Sequence, residues 1–233
     1  RSEWKPILWI SLFQSMIQYV CYYIGLSATT GTKGAVLSGT QTFFALIFAH
    51  LFLKNDKLNS QKALGCVCGF AGVLVLGLGG LNGFNLQGDG LVLLSAMSAG
   101  AGALVSRIFT PGRDPMLLTG WQLLLGGLLL GGIGLAGGGQ LGAVTVTGVL
   151  LLGYMIVLSA AAFTIWTALL GKYPVGRVSL FCFLIPVFGA IFSALVLGEN
   201  IFTLRNLAAL ALVSGGIAIA NYVREAKTGA KQA

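Results

Sequence analysis

The sequence has 233 residues, of which 56% are hydrophobic and only 9% are charged, and its mean hydropathy is +0.90. These values exclude an ordinary water-soluble domain, because a chain of this length could not bury so much apolar surface in one core. The net charge of +8 would suit nucleic-acid binding if the basic residues clustered. They are instead spread over the connections between apolar segments, which excludes that class.

Eight apolar segments follow one another along the chain, each near the roughly 20 residues that a membrane-spanning helix needs. In chain order they cover residues 7–26, 35–53, 63–79, 91–109, 116–136, 149–170, 178–197 and 207–223. The connections are short and rich in Gly, Asn, Asp, Thr and Pro, so none can hold a soluble domain. The sequence therefore predicts an all-α, polytopic membrane protein with eight transmembrane helices.

The basic residues indicate the orientation of these helices. With the N-terminus in the cytoplasm, all of the 14 Lys and Arg residues except Lys33 and Arg205 fall on the cytoplasmic side. This is a strong positive-inside bias, and the basic excess then meets anionic lipid headgroups. We expect a multi-pass protein of the plasma membrane with both ends of the chain in the cytoplasm.

An internal repeat relates the two halves of the chain at an offset of 144 residues. Residues 44–53 and 188–197 share five identities in ten positions, and the same offset pairs Lys33 with Arg177 and Gly72 with Gly216. Five predicted spans separate the two copies. Because this number is odd, the second copy is inverted in the membrane relative to the first, as in many secondary transporters.

The two halves differ in their number of predicted spans. Residues 1–80 hold three, residues 91–223 hold five, and residues 224–233 form a basic cytoplasmic tail. The three match the last three of the five, and the chain begins with Arg1 rather than Met. We therefore expect a five-plus-five protein of which the first two spans are absent from this sequence. A natural eight-span protein is the alternative.

A run near the C-terminus resembles a known family. Residues 173–199 include Pro186, which interrupts a predicted span, and end in Leu-Gly-Glu at Glu199, and a last span with Gly215 and Gly216 follows. This pattern is similar to EamA-domain proteins of the drug/metabolite transporter superfamily. The resemblance implies two inverted five-helix repeats around a central cavity, and it favours efflux of metabolites such as amino acids. Thr42 and Asn55 replace the proline and the glutamate in the first copy.

Polar residues recur at helical spacing within several predicted spans. Such groups are costly against lipid, so they must face protein or a water-filled cavity. Pro186 cannot donate a backbone hydrogen bond and frees a carbonyl one turn earlier, either beside a substrate or in a passive kink. Cavity lining and hydrogen bonding between helices both remain open for the polar set. The candidates for contact with a substrate are Gln14, Gln18, Tyr22, Thr40, Gln41, Ser98, Ser159, Trp166, Thr167, Cys182 and Pro186.

Ionisable and metal-binding residues are sparse in the predicted spans, which contain no Asp or Glu. His50 is the one candidate for proton coupling, or it reaches the nearby cytoplasmic interface. Glu199 follows a span, and we expect it to pack at an outer loop. Cys66 and Cys68 are two apart on a helix and point in different directions, so they do not predict a metal site. No cofactor is expected.

Two functional hypotheses follow from the sequence. The first is a carrier that moves a small organic metabolite by alternating access between the two repeats. The second is a structural or regulatory membrane subunit without cargo. A membrane enzyme would need clustered carboxylates or histidines at an interface, and we find none in the sequence. The expected partners are the lipid bilayer and a small-molecule substrate, with a homodimer as a further hypothesis and nucleic acid excluded.

Overall fold

The structure is a computed structural model that describes residues 4–53, 59–77, 84–139, 145–199 and 202–221. Within these ranges the chain is all-helical, as predicted, and forms eight helical segments. We name them α1 (Trp4–Ser27), α2 (Gly31–Phe52), α3 (Ser60–Gly77), α4 (Leu86–Phe109), α5 (Pro115–Ala136), α6 (Val146–Lys172), α7 (175–197) and α8 (Leu204–Asn221).

Five of these helices, α1, α2, α4, α5 and α6, are long and apolar enough to cross a membrane. The apolar parts of α3, α7 and α8 are shorter, at Ser60–Val75, Leu184–Leu197 and Leu204–Ala220. A polytopic membrane protein is thereby supported, and the count of eight spans stays a prediction. Exposed apolar side chains cover α5 and α6 almost throughout. A soluble protein rarely exposes so large an apolar surface, whereas lipid or further helices would cover it.

The helices begin where the sequence places a short polar side chain. Such residues accept a hydrogen bond from one of the otherwise unpaired N–H groups of the first turn. In the described ranges this happens at the start of α2, α3, α4, α5, α6 and α8, with Thr30, Asn59, Asn85, Asp114, Thr145 and Thr203 as the capping residues. These six helices therefore begin one to five residues before the predicted apolar segments.

The start of α4 differs from the sequence prediction at Asp89. Asp89, which the apolar pattern places in a connection, lies in the first turn of α4 and is only 2% exposed. Its carboxylate accepts hydrogen bonds from the Thr29 hydroxyl and the Asn85 backbone N–H, and Lys33 Nζ lies 3.4 Å away. A buried carboxylate needs such partners. Asp89 thus joins α4 to the start of α2.

Close backbone contacts hold α3 against α8. A Cβ placed on Gly72 would lie 3.0 Å from the Ala209 carbonyl oxygen, and one placed on Gly216 would lie 2.6 Å from the Gly65 carbonyl oxygen. Gly216 and Ala209 lie 144 residues after Gly72 and Gly65, so the second contact repeats the first with the partners exchanged. Small residues permit this approach, which is how helices pack when lipid removes the hydrophobic drive.

The other helices complete the bundle around α4. The first half of α2 packs on the second half of α7, and the second half of α2 packs on α4. The helix α1 lies against α4 and α5, and α5 lies against α6. Where α2 meets α7, Gly31 lies on Ser193, Ala35 on Gly189, and Gly39 on Pro186. These contacts run in opposite directions along the two chains, so α2 and α7 are antiparallel.

Candidate functional site

A π-helical turn in α1 places polar groups in the middle of the bundle. It covers Leu12–Ile17, and π-turns inside α-helices are frequent at functional sites. The hydroxyl of Ser98 donates to the Phe13 carbonyl at 2.7 Å, and the hydroxyl of Ser95 donates to the Gln18 carbonyl at 2.8 Å. These bonds from α4 fix the turn, and with it the direction of the Gln14 and Gln18 side chains.

A layer of side-chain hydrogen bonds ties the same region to its neighbours. Gln14 Oε1 accepts from the Ser106 hydroxyl at 3.1 Å, and Gln122 Nε2 donates to Ser15 Oγ at 3.3 Å. Buried polar groups cost free energy unless they are paired, so these contacts define how α1, α4 and α5 fit together. They also hold the wall of the adjoining cavity in place.

Two adjoining cavities lie between the helices. The larger has a volume of about 260 Å³ and is lined by Gln14, Gln18, Gln41, Ala99, Ala162, Phe163, Trp166, Cys182 and Ile185. The smaller, of about 190 Å³, shares four of these residues and is lined by Gln18, Tyr19, Tyr22, Ser38, Gln41, Ser95, Ala96, Ala99 and Ile185. Among the residues that the structure describes, neither lining contains Asp, Glu, Lys, Arg or His. The lining offers amides, hydroxyls and aromatic rings, which suits a small organic molecule.

Two irregular turns present residues to these cavities. The helix α2 changes at Thr40, whose backbone N–H and hydroxyl both donate to the Leu37 carbonyl, at 3.1 and 2.6 Å. The helix α7 tightens into a 3₁₀ turn at Leu180–Phe183, one turn before Pro186. Gln41 follows the first irregularity and Cys182 lies in the second. Interrupted helices beside a substrate site are a recurring feature of secondary transporters.

The predicted site residues divide into two groups. Six line the cavities: Gln14, Gln18, Tyr22, Gln41, Trp166 and Cys182. The others lie outside both linings. Thr40 and Ser98 bond to backbone carbonyls, Thr167 is paired with Thr119 at 3.2 Å, and Pro186 packs on Gly39. Ser159 and His50 are half-buried on α6 and at the end of α2.

Several lining residues were not among the predicted site residues, most of them because they are apolar or small. Ala162 and Phe163 lie one turn before Trp166 on α6, so helical spacing from that tryptophan would have found them. Tyr19 follows Gln18 directly. Ala96, Ala99 and Ile185 carry no chemical signal, and only the packing of the helices brings them to the cavity.

One acceptor in the cavity wall has no partner. Gln18 Oε1 is inaccessible and accepts no hydrogen bond from the described residues. A buried acceptor left unpaired costs about 1–3 kcal/mol. Because a water-sized probe does not reach this oxygen, a ligand with a hydroxyl or N–H donor could pair with it only after the Gln18 side chain changes its rotamer.

A carboxylate joins α7 to α2 at one end of the bundle. Glu199 accepts from the backbone N–H groups of Gly31 and Thr32 at 2.7 and 2.9 Å, and from the hydroxyls of Thr32 and Ser193, both at 2.7 Å. Partial burial favours a higher pKa for Glu199, but these four hydrogen bonds outweigh it and hold the pKa below the usual carboxyl value. Glu199 therefore packs at a connection, as expected, and caps a helix that begins 168 residues before it.

Comparison with known proteins identifies the family to which this fold belongs. The profile of the EamA-like transporter family matches residues 1–78 and 86–222. The chain belongs to this family. A probable amino-acid metabolite efflux pump of Salmonella typhimurium is 30% identical over 224 residues, which cover 91% of this chain and 73% of that protein.

Two further relatives are longer than this EamA-like chain. A chloroplastic WAT1-related protein of Arabidopsis thaliana is 30% identical over 82% of this chain and 48% of its own length. The uncharacterized transporter YetK of Bacillus subtilis is 25% identical over 85% of this chain and 62% of its own length. The chain thus spans between about half and two thirds of these two relatives.

A solved crystal structure has a related fold. It matches with a TM-score of 0.68 at 19% identity, over 95% of this chain and 79% of the solved chain. At this identity the likeness concerns the fold alone. Membership of the transporter family and the apolar helices together indicate a multi-pass membrane protein.

Proposed function

We propose that this EamA-like chain provides the central part of a secondary transporter, which carries a small organic metabolite through the cavity between α1, α2, α4, α6 and α7. The observation that carries the proposal is the cavity itself, whose described lining residues are neutral polar, aromatic and apolar side chains. A carrier must bind its cargo and then release it. A few hydrogen bonds within a mostly apolar wall meet both needs, because they orient the cargo without holding it tightly.

An inverted repeat would supply the two states that alternating access requires. Three features support it. The contact of Gly72 with Ala209 recurs with exchanged partners between Gly216 and Gly65. The helices α2 and α7 occupy corresponding places in the repeat, run antiparallel and are both irregular near the cavity. The sequence echo between residues 44–53 and 188–197 belongs to the same pair of helices.

The same symmetry gives a role to the exposed surface of α6. The helix α4 covers α1 through the bonds to Phe13 and Gln18. The residues 144 positions later, Val157 and Ala162, lie on α6, where none of the apolar stretch is buried. In a five-plus-five transporter, two further helices equivalent to α4 and α5 would cover this surface.

Direction, cargo and orientation belong to the same proposal. The Salmonella relative and an Escherichia coli relative are both named probable amino-acid metabolite efflux pumps, which favours export of metabolites of the amino-acid type. The distribution of Lys and Arg favours cytoplasmic ends in the plasma membrane. His50 stays a candidate for proton coupling, although it does not line the cavities.

The test is metabolite flux in membrane vesicles that contain the intact protein. We expect Gln18→Leu and Trp166→Ala to lower the flux at least tenfold. Two matched controls, Gln87→Leu and Trp9→Ala, change exposed residues outside the cavities and should retain most of the flux. Flux equal to that of empty vesicles over a broad metabolite panel would favour the alternative, a structural or regulatory subunit without cargo.

A further inference from the structure

The contact of Glu199 with α2 connects the two helices that carry the irregular turns. Glu199 follows the last turn of α7, and its two carboxylate oxygens receive the Gly31 and Thr32 N–H groups at the start of α2. Ser193, in the last part of α7, donates to the same carboxylate. One side chain therefore joins the end of α7 to the beginning of α2.

The chemistry of this contact is directional and charged. The first N–H groups of a helix have no partner within the helix, and the helix dipole favours a negative charge beside them. Hydrogen bonds to an ionised acceptor are stronger than neutral ones. Glu199 therefore accepts from two N–H groups in the first turn of α2. Thr30 caps the same helix by accepting from the Lys33 backbone N–H.

The neighbouring charges belong to a second contact at the same end. Lys33 faces Asp89, which is held by Thr29 and Asn85 in the first turn of α4. Asp89 lies between α4 and α2, whereas Glu199 lies between α7 and α2. Of these two carboxylates, only Glu199 bridges the pair of helices that presents Gln41 and Cys182 to the cavity.

We infer that Glu199 is a latch which holds α2 and α7 together at this end, and that its release opens the cavity to that side of the membrane. This inference rests on the proposed function, since a latch matters only where the cavity opens alternately to each side. For the cavity to open here, the start of α2 must separate from the end of α7, and the three hydrogen bonds that Gly31 and Thr32 donate to Glu199 must break. In the orientation proposed above, this end faces away from the cytoplasm.

Cys182 is a natural reporter of that opening, because it lines the cavity and is buried in this state. The other cysteines, Cys21, Cys66 and Cys68, are replaced by alanine. A membrane-impermeant thiol reagent is then applied to either side of vesicles that contain the intact protein without cargo. Phe202→Cys, at an exposed position near Glu199 in sequence, reports in parallel which side this end faces.

We expect Glu199→Ala to raise the labelling rate of Cys182 at least fivefold from the Glu199 side and to leave it unchanged from the other side. Glu199→Gln, which retains one carbonyl acceptor without the charge, should give a smaller increase. The matched control is Asp114→Asn, because Asp114 is also a helix-capping carboxylate but, within the described part of the chain, its side chain accepts only from Met116 in its own helix. This control should label at the parent rate.

Unchanged labelling of correctly folded Glu199→Ala from both sides would overturn the latch. If that variant folds poorly, Thr32→Val decides, because it removes the hydroxyl that α2 donates to Glu199. It must then raise the labelling from the Glu199 side, and a parent rate contradicts the inference. Failure of the proposed function looks different: labelling responds as expected, but no metabolite crosses the membrane.

Discussion

The Gly65 carbonyl oxygen lies so close to Gly216 that a Cβ on Gly216 would approach it to 2.6 Å. No side chain fits there without moving α3 away from α8. The neighbouring Gly215 offers a direct comparison, because a Cβ on Gly215 would meet no atom within 4 Å. Two adjacent glycines in one helix therefore have opposite tolerance for substitution.

We expect Gly216→Val to lower the thermal stability of the detergent-solubilised protein by several degrees and Gly215→Val to lower it much less. The reason is steric, since backbone atoms of Gly65 and Gly69 face Gly216 and cannot rotate away. Thermal unfolding followed by circular dichroism measures the difference. Equal losses in both variants would show that the helix propensity of valine, and not the contact with α3, determines the result.

A second pair of adjacent glycines tests the packing of α5 on the π-turn of α1. A Cβ on Gly126 would lie 2.4 Å from Ser15 Cβ, whereas one on Gly127 would meet no atom within 4 Å. Gly126→Ala should displace the turn that holds Gln14 and Gln18 and reduce metabolite flux several-fold. Gly127→Ala should keep the flux of the parent protein. If both variants transport at the parent rate, the position of α5 does not control the cavity.

The sequence predicts much of this fold because membrane helices leave a strong local signal. Eight apolar segments and their order correspond to the eight described helices, and the polar positions Gln14, Gln18 and Gln41 reach the cavity. Pro186 correctly indicates an irregularity in α7, although the 3₁₀ turn falls at Leu180–Phe183. These features depend on residues close together in the chain.

The remaining features depend on contacts between distant residues. Asp89 is read as a loop residue because its helical turn depends on Thr29 and Lys33, about 60 residues earlier. No proline marks the change of α2 at Thr40, and nothing local distinguishes the π-turn at Leu12–Ile17. The predicted inversion of the second copy would place Asn55 and Asn200 on opposite sides of the membrane. Both lie outside the described residues, so this prediction is not tested by the structure.

Gln18 and Gln122 each have an unpaired side-chain oxygen, and comparing the two residues distinguishes a role in ligand binding from a role in helix packing. Gln122 is fully buried between helices and lines neither cavity, whereas Gln18 lines both. Methionine has a similar volume and no unpaired acceptor but cannot donate to Ser15 Oγ, so Gln122→Met should lower the stability by about 1 kcal/mol and reduce flux less than Gln18→Met does. Gln18→Met should be equally stable but transport at least tenfold more slowly. A parent rate for Gln18→Met would exclude a role for its amide in cargo binding.

The charge of Glu199 predicts how stability depends on pH. The pKa of Glu199 lies below its usual value of 4.5, because four hydrogen bonds to Gly31, Thr32 and Ser193 favour the ionised form over the effect of burial. A lowered carboxyl pKa stabilises the folded state fully above the unfolded pKa, and this contribution is lost as the pH falls through the folded value. Glu199→Gln should therefore melt below the parent protein at pH 7. The two melting temperatures should converge as the pH falls from 4.5 through the lower folded pKa of Glu199. Melting curves at pH 3.5 to 7 measure this convergence, with Asp114→Asn as the control for a carboxylate that caps only its own helix.

A constant difference between Glu199→Gln and the parent protein down to the lowest pH would mean that the ionised form of Glu199 is not what joins α7 to α2.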